Sequence, residues 1–194
     1  MSEGERGCIH RCELASGAIS KWPVPGKPLG LSVTHSGHLL VTCRGQPARL
    51  VELSADSGRY MSEMVLQSNI AGSVHSVQLT TFGQIVMCHG LGSGDLHRVC
   101  VVGDDGKVRL SYGSKPGSGV GQLNCPFHLA VDEDSRCIFV ADYYNGRVVL
   151  LSPTLEFMRY VVEGLPRLLR LSFHQATRRL FVSHSNSNVT VIQL

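Results

Sequence analysis

Gly121-Gln122-Leu123-Asn124-Cys125-Pro126-Phe127-His128-Leu129-Ala130-Val131-Asp132, continuing through Ile138-Phe139-Val140-Ala141-Asp142-Tyr143-Tyr144-Asn145-Gly146-Arg147-Val148-Val149, holds three short apolar runs parted by turn residues. The runs are rich in β-branched and aromatic residues and too short for helices, so they read as strands. Asn145-Gly146 supplies the positive φ angles that a two-residue turn needs, which makes the second and third runs an antiparallel hairpin. No segment of the chain shows a convincing helical period.

Similar runs recur on both sides. Pro28-Leu29-Gly30-Leu31-Ser32-Val33 and Pro166-Arg167-Leu168-Leu169-Arg170-Leu171 align with Pro126 to Val131, and Val74-His75-Ser76-Val77-Gln78-Leu79 is a weaker copy, giving equivalent positions at 33, 79, 131 and 171. A second run follows each: Leu39-Leu40-Val41, Ile85-Val86-Met87, Ile138-Phe139-Val140 and Leu180-Phe181-Val182. Third runs open on Arg49, Arg98 and Arg147, spaced 49 residues apart, and Arg11-Cys12-Glu13-Leu14 resembles another.

Four strands per period of about 40 to 50 residues is the arithmetic of a β-propeller blade, which cannot bury both faces without its neighbours. The expected blades are 7–27 (partial), 28–72, 73–122, 123–164 and 165–194 (partial), seventeen strands in all. The fold class is thus all-β, with about four blades of a propeller present. A six-bladed ring would need about seven more strands, so the chain is expected to be part of a longer propeller or to be completed by a partner. Open sheet edges make self-association an expectation as well.

The stretch from Gly121 to Val148 resembles an NHL repeat. Its Gly-Gln-Leu-x-x-Pro opening, Ala130-Val131-Asp132, Val140-Ala141-Asp142 and Asn145-x-Arg147 follow that family's pattern, and the other copies follow it less closely. The resemblance implies a six-bladed propeller, often the C-terminal partner-binding part of tripartite-motif ubiquitin ligases. Those ligases carry RING and B-box modules that nothing here resembles, so ligase activity is not expected in this chain. His128 stands where the family usually has Gly, while Gly30 keeps it. The hairpin from His89 to His97 resembles no family motif.

Composition narrows the function. Charged residues are 17% of the 194, below the roughly 25% of soluble domains, and 18 Lys plus Arg against 15 Asp plus Glu gives a mild +3. Disorder and a strong nucleic-acid footprint are both disfavoured. The seven cysteines lack a C-x-x-C pair, so neither a disulfide framework nor a zinc finger is indicated. No signal peptide and no apolar stretch of membrane-spanning length is seen, so a cytoplasmic protein with no membrane partner is expected.

Arg11, Arg49, Arg98 and Arg147 are expected to serve the repeat, Arg147 through a bidentate pair with Asp142. Lys115, Arg159, Arg167, Arg170, Arg178 and Arg179 are irregular, and residues 163–179 carry a local +3. Cys8-x-His10-x-Cys12 places three metal-ligating types on one strand face, but core-facing cysteines are the expectation and no metal site is. The histidines lie mostly in turns and are expected to be solvated. Inner-strand positions Gly30, Ser76, His128 and Leu168 include only one metal-ligating candidate, so neither cofactor nor enzyme is expected, with a propeller lactonase or amidating lyase as an alternative. The expected function is non-enzymatic protein recognition, through a rim carrying His128, Tyr143, Tyr144, Asn145, Arg167 and Arg170. Single-stranded RNA binding is the other alternative, with these cations tracking phosphates and Tyr143 and Tyr144 stacking on bases.

Overall fold

A computed structural model describes residues 7–34, 36–70, 74–80 and 83–194, with backbone alone for 74–79. Five antiparallel sheets follow one another along the chain. Sheet I is the hairpin of β1 (Cys8–Cys12) and β2 (Ile19–Pro23). Sheet II orders β3 (Lys27–Val33), β4 (Leu39–Arg44), β5 (Arg49–Leu53) and β6 (Tyr60–Val65). Sheet III holds β7 (Val74–Leu79), β8 (Ile85–His89), β9 (His97–Val102) and β10 (Val108–Ser114). Sheet IV holds β11 (Pro126–Asp132), β12 (Cys137–Asp142), β13 (Arg147–Leu151) and β14 (Phe157–Val162). Sheet V holds β15 (Leu168–His174), β16 (Arg179–His184) and β17 (Val189–Gln193). The first strands β3, β7, β11 and β15 pack against one another in that order, so the sheets radiate from them as the blades of a propeller.

Successive residues on a strand point to opposite faces, and here each parity feeds a different core. In sheet IV, Ile138, Val140, Val149 and Leu151 face sheet III and meet Val86, Cys88, Val99 and Val101. Their neighbours Phe139, Ala141, Val148 and Leu150 face sheet V and meet Leu171, Leu180 and Val182. Met87, Cys100 and Val102 turn from sheet III toward Leu40 and Leu50 of sheet II, while Val41, Cys43, Val51 and Leu53 turn toward sheet I. The middle strands are therefore apolar at nearly every position, and the outer strands β6, β10 and β14 are half exposed. Leu31, Val33, Val189 and Val191, on the sheets II and V, are exposed.

Two glycines show how closely the loops press on these sheets. Gly146 sits at φ 61° in the β12–β13 turn, where a Cβ would collide with the Leu165 carbonyl oxygen. Gly58, at φ 68° in the β5–β6 turn, lies against the Trp22 ring of sheet I, leaving no room for a side chain.

The structure corrects the register of the fourth copy. Each of β3, β7, β11 and β15 carries a bulge near its start, between Pro28 and Gly30, Val74 and Ser76, Pro126 and His128, and Leu168 and Arg170. Leu168, not Pro166, thus stands where Pro28 and Pro126 do, and the residue equivalent to His128 and Gly30 is Arg170, not Leu168. Phe173 replaces Leu171 as the equivalent of Val131. A slip of two residues leaves every side chain on its proper face, so the apolar pattern alone could not expose it.

Opposite the β12–β13 turn, a second contact joins sheets IV and V. Arg178, at φ 52° after a short 3₁₀ turn (Gln175–Thr177), donates from both terminal nitrogens to the buried Asp132 carboxylate at 2.9 and 2.8 Å. Burial raises the Asp132 pKa, but the Arg178 fork and the Ser135 hydroxyl outweigh it and hold the carboxyl below its usual range.

Because Leu151 is fully buried between sheets III and IV while Met158 on β14 is 52% exposed, Leu151→Ala should cost about 2–5 kcal/mol and Met158→Ala less than about 1 kcal/mol in urea denaturation. Equal losses would contradict inter-sheet burial as the source of stability.

Candidate functional site

The β12–β13 turn is held by a buried ion pair. Asp142 ends β12, opposite Arg147 in the ladder, and its carboxylate accepts from the Asn124 backbone N–H at 2.6 Å, Asn145 Nδ2 at 2.7 Å and Arg147 Nε at 2.8 Å. Arg147 spends its other nitrogens on the Ser118 and Gln122 carbonyls, at 2.7 and 3.1 Å, so its bond to Asp142 is single rather than the bidentate one expected, and its guanidinium lies 4.4 Å from the Tyr160 ring centre. Burial pushes the Asp142 carboxyl up, against the pull of its three N–H donors and the Arg147 charge. Asn145 also donates to the Gly117 carbonyl at 2.8 Å, binding the inter-sheet loop to the turn. Asn145 and Arg147 are thus occupied within the frame.

Arg49 and Arg98 share the place but not the partner, and Arg11 falls near the end of β1 rather than at its start, against the sequence alignment. Arg98 donates to His89 Nε2 at 2.9 Å and to the Asn69 carbonyl, Arg49 pairs with Glu63 across sheet II, and exposed Arg11 donates to the Asp56 carbonyl.

On this frame stand two tyrosines. Tyr143 and Tyr144 donate their backbone N–H groups to the Cys125 and Asn124 carbonyls at 3.2 and 3.1 Å, which fixes the tip beside the start of β11. Their rings meet edge to face at 4.8 Å, and Phe127 packs 5.4 Å from Tyr143. Arg167, just before β15, places its guanidinium 5.8 Å from the Tyr143 ring centre and 5.6 Å from that of Tyr144, while Arg170 lies 5.3 Å from Phe127. Both arginines are exposed, and among the described residues neither has a carboxylate within ion-pair distance. Arg170 donates to the Leu169 carbonyl at 2.9 Å.

His128 lies under this patch and joins the two sheets. Its Nδ1 accepts from the Leu171 backbone N–H at 3.2 Å, which assigns the ring proton to Nε2. Burial first, and then the Arg170 charge, push its pKa down to about 4, so the ring is neutral at neutral pH.

The second hairpins and the starts of the first strands share one rim. Besides the Tyr143 and Tyr144 bonds, the Ser185 N–H reaches the Arg167 carbonyl and the Cys125 N–H reaches His97 Nδ1. The structure therefore brings His128, Tyr143, Tyr144, Asn145, Arg167 and Arg170 together, with His128 and Asn145 turned inward. It leaves out Arg178 and Arg179, which lie at the far end of sheet V, bound to Asp132 and Gln193. The local +3 of residues 163–179 is thus divided between two rims. Phe127, which sequence reasoning missed, is the bulged residue after Pro126; no motif marks it, because an apolar residue there looks like any other in a strand.

Two further expectations fail. Cys8, His10 and Cys12 are all exposed on β1, with Cys8 Sγ 3.3 Å from His10 Nε2, so these cysteines do not face a core. Among the described residues no three His, Cys, Asp or Glu side chains are arranged to hold a metal. His89, His97 and His184 are buried and hydrogen-bonded at strand ends rather than solvated in turns. His35 and the side chains of His75 and Ser76 lie outside the described residues. The other five cysteines are buried, and burial pushes the Cys43, Cys100 and Cys125 thiols up to about 11.

A cavity of about 860 Å³ opens on the same rim between sheets II and III, walled by Pro47, Leu66, Ile70 and, from the long β8–β9 hairpin, Asp95 and Leu96. Asp95 accepts from the Leu91 and Gly92 N–H groups, which hold its carboxyl below the usual range. The unusual length of that hairpin was the signal available in the sequence.

No family model and no curated protein matches the sequence. Solved structures do resemble it. A virginiamycin B lyase from Staphylococcus aureus is 14% identical with a TM-score of 0.63, over 97% of this chain and 63% of that one. The β-propeller domain of Myceliophteria thermophila Cps50 (Swd1) is 13% identical at 0.65, over 98% and 64%. Kuenenia stuttgartiensis hydrazine synthase is 12% identical at 0.72, over 97% and 65%. The fold is a β-propeller. The chain spans less than two thirds of each of these three chains, and at such identities the likeness concerns fold alone. Among the described residues no helix is long and apolar enough to cross a membrane.

Arg147→Ala would leave Asp142 buried without its cation and should cost about 3–5 kcal/mol, with Arg147→Lys recovering little because the fork is lost. Thermal melts of the three proteins check this; an unchanged melting temperature in Arg147→Ala would refute the clamp. A second expectation concerns acid. A free imidazole titrates near 6.5 and folded His128 near 4, so between those values the unfolded chain binds a proton that the folded chain refuses, and stability falls as pH falls through that window. His128→Gln should decline less steeply between pH 6.5 and 4, by on the order of 1–3 kcal/mol in denaturant titrations. Parallel curves would show that His128 is not held neutral.

Proposed function

We propose that this chain is part of an NHL-type propeller, cytoplasmic in location, that recognises a protein partner without catalysing a reaction. The observation that carries the reading is the rim patch: Phe127, Tyr143, Tyr144, Arg167 and Arg170 from two sheets, in mutual contact on a frame fixed by Arg147 and Asp142. Rigid aromatic and arginine side chains at a rim lose little entropy on binding, and such residues dominate interface energetics. The NHL assignment is supported by the residue pattern, since the buried pair joins two of its motif positions, Asp142 and Arg147. Self-association is supported by the exposed Leu31, Val33, Val189 and Val191.

The virginiamycin B lyases among similar structures supply the competing reading, a propeller enzyme. Weighing against it, the inner positions are Gly30, Ser76, His128 and Arg170, and His128 already spends Nδ1 on Leu171. RNA binding is the second reading, favoured by the two rim arginines beside tyrosines.

The test is affinity purification of the chain from cells with ribonuclease added, comparing wild type with Tyr144→Ser plus Arg167→Ser. Both substituted side chains are exposed, so the melting temperature should hold while one set of co-purifying proteins falls at least about tenfold. Undiminished capture by the variant would exclude the rim patch, and loss of capture on ribonuclease treatment alone would favour RNA.

A further inference from the structure

We infer that the occupant of this rim patch is an acidic protein segment, whose carboxylates are gripped by Arg167 and Arg170; the inference rests on the rim patch being a binding surface. Elsewhere among the described residues, arginines that the fold uses have a partner of their own: Arg147, Arg178, Arg49 and Arg109 pair with Asp142, Asp132, Glu63 and Asp105, while Arg98 is spent on His89 and the Asn69 carbonyl and Arg11 on the Asp56 carbonyl. Among the same residues, Arg167 and Arg170 pair with no carboxylate. Neither Asp142 nor Glu163 serves them. Asp142 is consumed by three N–H donors, and Glu163, exposed on the connection leading to Arg167, is outside ion-pair distance of both. His128 adds no charge, because burial and Arg170 keep it neutral.

What the two guanidiniums touch instead defines what they can still bind. Each lies beside aromatic rings, Arg167 beside Tyr143 and Tyr144 and Arg170 beside Phe127, and most of their N–H groups are not committed to any described group. A carboxylate approaches a guanidinium edge-on and accepts two parallel hydrogen bonds, which is the geometry left open. Arg170 gives one donor to the Leu169 carbonyl, and Arg167 gives none to any described group. The rings hold the cations in place before binding, which reduces the side-chain entropy lost on complex formation.

The same contacts weigh against single-stranded RNA. A base stack needs successive open aromatic faces, but Tyr143 is packed by Phe127 and Tyr144 and is only partly exposed, which leaves Tyr144 as the one exposed ring of the patch. Backbone tracking also needs a run of cations, whereas Arg178 and Arg179 lie at the far end of sheet V. An acidic segment with an apolar residue suits both the forks and the exposed Tyr144 ring.

The experiment is fluorescence anisotropy on the 194-residue chain with four labelled probes. They are a 12-residue peptide alternating Glu and Ser around one Phe, the same peptide with Glu replaced by Gln, the same with Lys, and a 12-nucleotide oligouridylate. The Glu peptide is expected to bind at least about tenfold more tightly than the Gln peptide, with no binding of the Lys peptide. Arg167→Glu plus Arg170→Glu should abolish Glu-peptide binding and admit the Lys peptide, and Arg167→Lys should weaken the Glu peptide several-fold because charge stays and the fork goes. Melting temperatures of the variants confirm folding. Equal binding of Glu and Gln peptides, tighter binding of oligouridylate, or indifference to the charge reversal would each overturn the inference. Failure is separable from failure of the rim reading. A Gln peptide that binds and is lost in Tyr144→Ser plus Arg167→Ser would leave the rim as the site and remove the acidic occupant, whereas cellular partners indifferent to that variant would remove both.

Discussion

A sheet that radiates from an axis must bury both of its faces, and this constraint shapes every interior residue choice in the chain. An ordinary antiparallel sheet with one wet face alternates apolar and polar residues. Here β12 and β13 are apolar at every position but Asp142 and Arg147, because alternate residues of each strand belong to one inter-sheet core and those between them to the next. Stability is therefore held between sheets rather than within them. Each sheet is complete only when both neighbours are in place, as in other repeat architectures where neighbour contacts dominate.

Most charged and imidazole side chains buried in that interior sit at strand ends, where loops cross, and there they are hydrogen-bonded. Asp142, Arg147, Asn145 and Asn124 form one connected set, as do Asp132, Ser135 and Arg178 at the other end of the same sheet. His89 takes the place of Asp142 in sheet III and accepts from Arg98 as a neutral ring. A buried carboxylate without its guanidinium is costly, but a neutral imidazole facing a guanidinium through one hydrogen bond is tolerable, which explains how the repeat accepts either residue at that ladder position.

What was legible in the sequence follows from which signals are local. The Asn145-Gly146 turn and the 49-residue spacing of Arg49, Arg98 and Arg147 are local or periodic, and they yielded the strands and the propeller. The hairpin itself was readable, but not its length: the loop has four residues, 143–146, with Gly146 and not Asn145 at positive φ, so Asp142 rather than Tyr144 faces Arg147 in place of the two-residue turn expected. The fourth copy was misplaced by two residues, since the period of a strand is itself two and Pro166 looked like Pro126. Contacts between sheets were not readable at all. That Arg167 would meet Tyr143 and Tyr144, that His128 would accept from Leu171, and that Cys8 and Cys12 would face outward all depend on how a neighbouring sheet docks.

The corrected register also separates residues the fold requires from those it merely permits. Gly30, Ser76, His128 and Arg170 occupy the same position after the same bulge. Four such different side chains at equivalent places mean that sheet formation makes no demand there beyond the bulge. Arg170 moreover opposes the protonation of its neighbour His128, and among the described residues no carboxylate pairs with it. A cation that the architecture does not need, held in place by an aromatic ring and left without an anion, is better explained by something that arrives from outside than by the fold that carries it.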